Sequence, residues 1–166
     1  MKKGFTMIEL IFVIVILGVL ASVAIPRLAA TRDDAEVAKA ATNLTTAVSD
    51  ITAYYTAKGS FYETSTGGGL TQNKITDFTK ITNALTKDGK LNVKGKTTCV
   101  TVELPGNATN ASSKVELTLK FTPSADAVCK QLAKLPGIKT MCGKGEADTL
   151  SGDCKIQIGG SGGIQF

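Results

Sequence analysis

The chain has 166 residues, 43% of them hydrophobic and 20% charged, with a formal net charge of +5. It contains no histidine, which excludes Ser-His and Cys-His catalytic pairs, HExxH zinc sites and a histidine pH switch. Its only arginines are Arg27 and Arg32, and apart from Lys2 and Lys3 its lysines are spread singly, so the clustered basic and aromatic surface of a nucleic-acid groove is not evident.

The N-terminus begins with Lys2 and Lys3, followed by an apolar run from Phe5 to Ile25 that would extend about 31 Å as a helix. A cleaved signal peptide with small residues at Ser22-Val23-Ala24 is one reading of it, and a single transmembrane anchor is another. Glu9 separates these readings from a third, because it is the only charge between Lys3 and Arg27. A carboxylate embedded in a membrane helix is costly and by default has a function and a partner. If the chain is cut after Gly4, Phe5 becomes the new N-terminus and Glu9 lies one helical turn in. Glu9 could then pair with the N-terminal ammonium of a neighbouring copy, neutralising both charges in low dielectric.

The helical pattern continues past Pro26 without Gly or Pro until Gly59. Val37, Ala41, Leu44, Val48, Ile51 and Tyr55 recur in alternating steps of four and three, which predicts an apolar stripe on one face. Glu36 and Lys39 stand at pairing distance on the outer side. One helix over residues 5–58 would be about 80 Å long. Pro26, which lacks an N–H, and Gly18 predict a bend or local melting over 18–26.

Residues 59–166 read as a polar body of short elements. The spacing of Phe78, Ile81 and Leu85 predicts a short helix over 77–87. Alternating β-branched residues predict strands at 96–104 and 114–121, forming a hairpin across 105–113, and a third short strand at 154–158. A helix is expected over 123–135, closed by Pro136-Gly137. Gly67, Gly68 and Gly69 form a loop without the GK[ST] of a phosphate loop, and Gly159 to Gly163 form a flexible tail. A three- or four-stranded antiparallel sheet would cover the helix stripe at residues 44, 48, 51 and 55, which gives an α+β fold.

Four cysteines, Cys99, Cys129, Cys142 and Cys154, carry no zinc-knuckle spacing and favour two disulfides in an oxidising compartment. Three connectivities are possible. The favoured one is Cys99–Cys129 with Cys142–Cys154, because the second bridge would staple a Gly-rich loop with little core of its own. Glu146, Asp148 and Asp153 cluster in that loop but lack a DxDxDG order, so a solvated acidic loop is the expectation and no metal or cofactor is assigned. Asn43, Asn107 and Asn110 begin N-glycosylation triplets of a kind that recurs by chance.

Lys3-Gly4-Phe5-Thr6-Met7-Ile8-Glu9-Leu10 and the apolar run after it resemble the N-terminus of type IV pilins and type II secretion pseudopilins. The resemblance covers roughly residues 1–58. It implies that a prepilin peptidase cuts after Gly4 and methylates Phe5, that Glu9 guides subunit docking, and that Gly18 and Pro26 lie where helix can be lost on entry into a filament. It further implies a division into a cleaved leader at 1–4, a transmembrane and assembly helix at 5–26, an amphipathic continuation at 27–58 and a periplasmic head at 59–166. The expected protein is a filament subunit, not an enzyme, anchored by a single pass in the inner membrane. Its expected partners are the peptidase, copies of itself, minor pilins or pseudopilins, the assembly platform and lipid, with no nucleic acid. A type II secretion pseudopilin is favoured over a surface pilin; an anchored binding module that uses the N-terminus only for export is a further alternative. Once Lys2 and Lys3 leave with the leader, the side-chain charge falls to +3.

Overall fold

The computed structural model describes residues 4–64, 72–106, 114–123, 125–145, 147–148 and 150–159. The leader lysines, the loop at Gly67, the triplets at Asn107 and Asn110, the tail beyond Gly159 and Glu146 lie outside the described residues. The chain divides into two compact units, Met1–Ala35 and Glu36–Phe166.

Helix α1 spans Met7–Lys58, 52 residues. Gly59 ends it as anticipated, with φ +73° and its N–H donating to the Tyr55 carbonyl at 2.7 Å. The helix is unbroken through Gly18 and Pro26, so the local melting expected there is absent from the single chain. A proline removes one N–H from the ladder, and the ladder resumes on either side. In the first unit the apolar side chains of α1 are exposed, Phe12 at 66% and Leu17 at 58%. The stretch Met7–Ile25 is long and apolar enough to cross a membrane, with a mean hydropathy of 2.9.

The second unit begins within α1. Val37, Ala40, Leu44, Ala47 and Ile51 are its buried residues, whereas Ala41, Val48 and Tyr55 are half-buried. The buried face is therefore rotated slightly from the predicted stripe, toward two alanines. Small side chains let the opposing layer approach closely, while the larger Val48 and Tyr55 pack at its margin. Glu36 uses Oε2 to accept from the backbone N–H of Lys94 at 3.5 Å.

The covering layer is a four-stranded antiparallel sheet in the order β3-β4-β5-β6, made of Lys90–Val93, Thr97–Glu103, Val115–Phe121 and Gly152–Gly159. Strand β5 alternates as predicted. Val115, Leu117, Leu119 and Phe121 are buried, and Glu116, Thr118 and Lys120 point outward. Strand β4 breaks its alternation at Cys99 and Val100, both buried. The register with β3 explains this, since Leu91 faces Val100 and Asn92 faces Thr98, leaving Cys99 in a bulge. The bulge turns Cys99 toward α2 (Ala127–Leu132), where it bonds Cys129.

Several elements depart from the sequence expectations. First, residues 77–87 form only a 3-10 turn, Phe78–Lys80, although Phe78 and Leu85 are buried as the spacing implied. Thr82 decides this. Its hydroxyl donates to Asp50 Oδ2 on α1 at 2.7 Å and accepts from the Ala84 N–H at 3.1 Å, a local bond that competes with a helical ladder. Gly89 then turns the chain at φ +72°, and a Cβ there would lie 2.5 Å from the Phe78 ring, so only glycine fits. Second, Pro136-Gly137 does not close a helix. It opens one, α3 (Pro136–Met141), with the proline at the first helical position where no N–H is needed. The expected helix over 123–135 contracts to α2, capped by Asp126, whose carboxylate accepts from the Val128 N–H at 2.9 Å. Third, β3 and the small ribbon of β1 (Tyr62–Thr64) with β2 (Gln72–Lys74) were not anticipated.

Candidate functional site

The residues singled out for processing and docking lie at the start of α1. Gly4, Phe5 and Thr6 are outside regular structure, and the helix begins at Met7. Gly4 has no atom within 4 Å of where a Cβ would stand, and Phe5 is 88% exposed. The Gly4–Phe5 bond thus sits on an exposed, non-helical backbone, the condition proteolysis requires.

Thr6 is the N-cap residue. Its carbonyl accepts the first helical bond, from the Leu10 N–H at 3.3 Å. Glu9, three residues on, turns back to it. Oε2 of Glu9 accepts from the Thr6 backbone N–H at 2.9 Å and from the Thr6 hydroxyl at 2.6 Å. The first of these bonds is half of a capping box, T-x-x-E, in which the glutamate satisfies an otherwise orphaned N–H. The sequence reading had assigned Glu9 but passed over Thr6, although the T-x-x-E spacing before an apolar run was legible. Gly18 and Pro26, the other predicted assembly residues, lie farther along α1.

The four cysteines are all bonded. Cys99 joins Cys129 across a separation of 30 residues, and Cys142 joins Cys154 across 12, the favoured pairing. Cys142 follows α3, whose end is closed by Gly143 at φ +63° and by the Lys144 N–H bonding the Lys139 carbonyl at 2.9 Å. The second bridge ties this end to β6. Of the acidic loop residues, Asp148 accepts from the Gly145 N–H at 3.0 Å, and Asp153 faces Lys120 in the sheet. Among the described residues, no three His, Cys, Asp or Glu side chains converge where a metal could be held.

The outer face of the sheet alternates in charge, with Lys120 on Glu103 at 2.7 Å and Lys155 near Glu116 at 3.8 Å. Between α1 and α3 lies a groove of about 600 Å³, lined by Ala41, Leu135, Ile138 and Met141 among others. Among the described residues, its lining carries no titratable side chain.

Residues 1–25 match the family model of the prokaryotic N-terminal methylation motif. The chain carries a prepilin N-terminus. No curated relative and no solved structure matches it. The prepilin motif supports a type IV pilin-like or pseudopilin subunit, implies processing by a prepilin peptidase and assembly with other pilins, and fits a membrane-anchored protein. A long helix with an apolar N-terminal stretch, followed in sequence by a four-stranded antiparallel sheet, gives the chain an α+β, pilin-like layout.

Proposed function

We propose that this protein is a type II secretion pseudopilin. Cut after Gly4 and methylated on Phe5, it waits in the inner membrane by its single N-terminal helix with residues 59–166 in the periplasm. It then joins other copies and minor pseudopilins on the assembly platform, and Glu9 of each incoming subunit meets the Phe5 ammonium of a neighbour. The observation that carries this reading is one carboxylate, Glu9, in the otherwise uncharged apolar run from Phe5 to Ile25 that follows Gly4 of a prepilin motif. Two oxidised bridges support an oxidising compartment for the head. The modest size of residues 59–166 favours the pseudopilus over a surface pilus. The role is structural, and no residue is assigned to catalysis.

Deleting the gene tests the finer claim. The expected result is loss of secreted enzymes from the medium, with their accumulation in the periplasm and surface pili unchanged. Loss of surface pili with secretion intact would instead make the protein a type IV pilin.

A further inference from the structure

We propose that the outer edge of β6 is a docking site for residues 164–166 of the same chain, which fold back on it as a fifth strand of the sheet. Among the described residues β6 is an edge strand, paired with β5 along its length and with nothing on its other side. It is eight residues long and contains no proline. A bare edge of that kind is one that folded proteins cover. Its core side is also incompletely covered. Ile156 and Ile158 pack against the core but are half-buried, whereas Leu117 and Leu119 of the neighbouring β5 are fully buried.

The sequence that follows β6 fits this edge. It reads Gly160-Ser161-Gly162-Gly163-Ile164-Gln165-Phe166, small residues and then an apolar, polar, apolar triplet. Opposed residues of an antiparallel pair share a face, so matching the faces sets the register. A turn on Gly160-Ser161-Gly162 places Ile164 opposite Ile158, Gln165 opposite Gln157 and Phe166 opposite Ile156. Both apolar side chains then join the core side, and the glutamine stays outside. A turn on Ser161-Gly162 alone shifts the pairing by one, sets Phe166 opposite Gln157 and leaves its ring in water. The three-residue loop needs a left-handed residue at its third position, and Gly162 supplies it. At the start of the turn, a Cβ on Gly159 would collide with the Tyr55 ring, so the backbone leaves β6 pressed against α1. The glycines that read as a flexible tail thus serve as the turn of a hairpin. So short a turn favours docking within one chain over exchange with a neighbour. A closed edge accepts no strand from another molecule, so copies crowded together do not join sheet to sheet.

The test is hydrogen exchange on the full chain in detergent, read by mass spectrometry over residues 155–159 relative to β5. The parent is compared with a chain ended after Gly159 and with Gly162→Val and Gly162→Asn. Asparagine tolerates the left-handed conformation, and valine does not. Exchange over 155–159 is expected to be about tenfold faster in the shortened chain, the scale of one or two backbone hydrogen bonds. Gly162→Val is expected to match the shortened chain, and Gly162→Asn the parent. Equal exchange in the parent and the shortened chain overturns the proposal, and so does equal exchange in the two Gly162 variants. A mixture of ¹⁵N-labelled and ¹³C-labelled chains identifies the occupant by nuclear Overhauser contacts between residues 158 and 164 and between 156 and 166. These are expected within one chain. Contacts between differently labelled chains would assign the edge to a second copy and overturn docking of the chain's own residues.

Discussion

Glu9→Val is expected to abolish filament assembly while leaving cleavage after Gly4 intact. Valine is apolar and carries no penalty in the bilayer, so the variant inserts at least as well as the parent. The scissile bond lies two residues before the helix, outside the segment Glu9 belongs to. On the docking role proposed for Glu9, what disappears is the attraction between the carboxylate and the neighbour's ammonium, and the loss recurs at every subunit added. Truncation also leaves the partner ammonium unpaired in an apolar surrounding, which adds to the cost. Mass spectrometry of the membrane fraction and electron microscopy of sheared material check the two halves of this expectation. Mature protein without filaments supports it, and normal filaments contradict it.

The second large effect concerns the stability of the unit Glu36–Phe166. Replacing Cys99 and Cys129 together by alanine is expected to cost about 3–4 kcal/mol, on the loop-entropy scale for a closed loop of this length. The Cys142–Cys154 bridge closes a shorter loop, and replacing both of its cysteines is expected to cost about 3 kcal/mol. The first pair has a further reason to matter more. Cys99 and Cys129 are each 1% exposed and sit in the core beside β4 and α2, whereas Cys142 is 9% exposed. Their removal therefore also leaves unfilled volume. Thermal melts of the full chain in detergent check this, with the Cys99/Cys129 variant melting roughly 10 °C or more below the parent. Equal melting temperatures would show that the bridges do not constrain the fold.

The N-terminal half was legible because its signals are local and strong. An apolar run with one carboxylate and a stretch after Pro26 without glycine or proline until Gly59 define α1 without reference to the rest of the chain. Strands β4 and β5 were legible by alternation, and β5 carries it without interruption. The elements missed depend on tertiary partners. Tyr62–Thr64 and Gln72–Lys74 are three residues each, too short for a period, and pair with one another. Next to them Phe61 is buried and stacks on Tyr54 and Tyr55 at 5.9 and 5.6 Å, a contact with α1 that no local pattern announces. Residues 77–87 have helical spacing, but the bond from Thr82 to Asp50 crosses 32 residues of sequence and overrides it. Pro136-Gly137 was legible as a boundary but not in its direction, since proline opens a helix as readily as it follows one. At the N-terminus, Gly4, Phe5 and Glu9 were read from the motif, and Thr6 was missed although its T-x-x-E spacing to Glu9 is legible as half of a capping box.

The central claim is that this N-terminus is a processed assembly helix and not an ordinary export signal, and intact mass with N-terminal sequencing of the membrane-extracted protein tests it most directly. The account predicts a mature chain beginning at Phe5 and heavier by one methyl group. A chain beginning after Ala24, or one that retains Lys2 and Lys3, would contradict it.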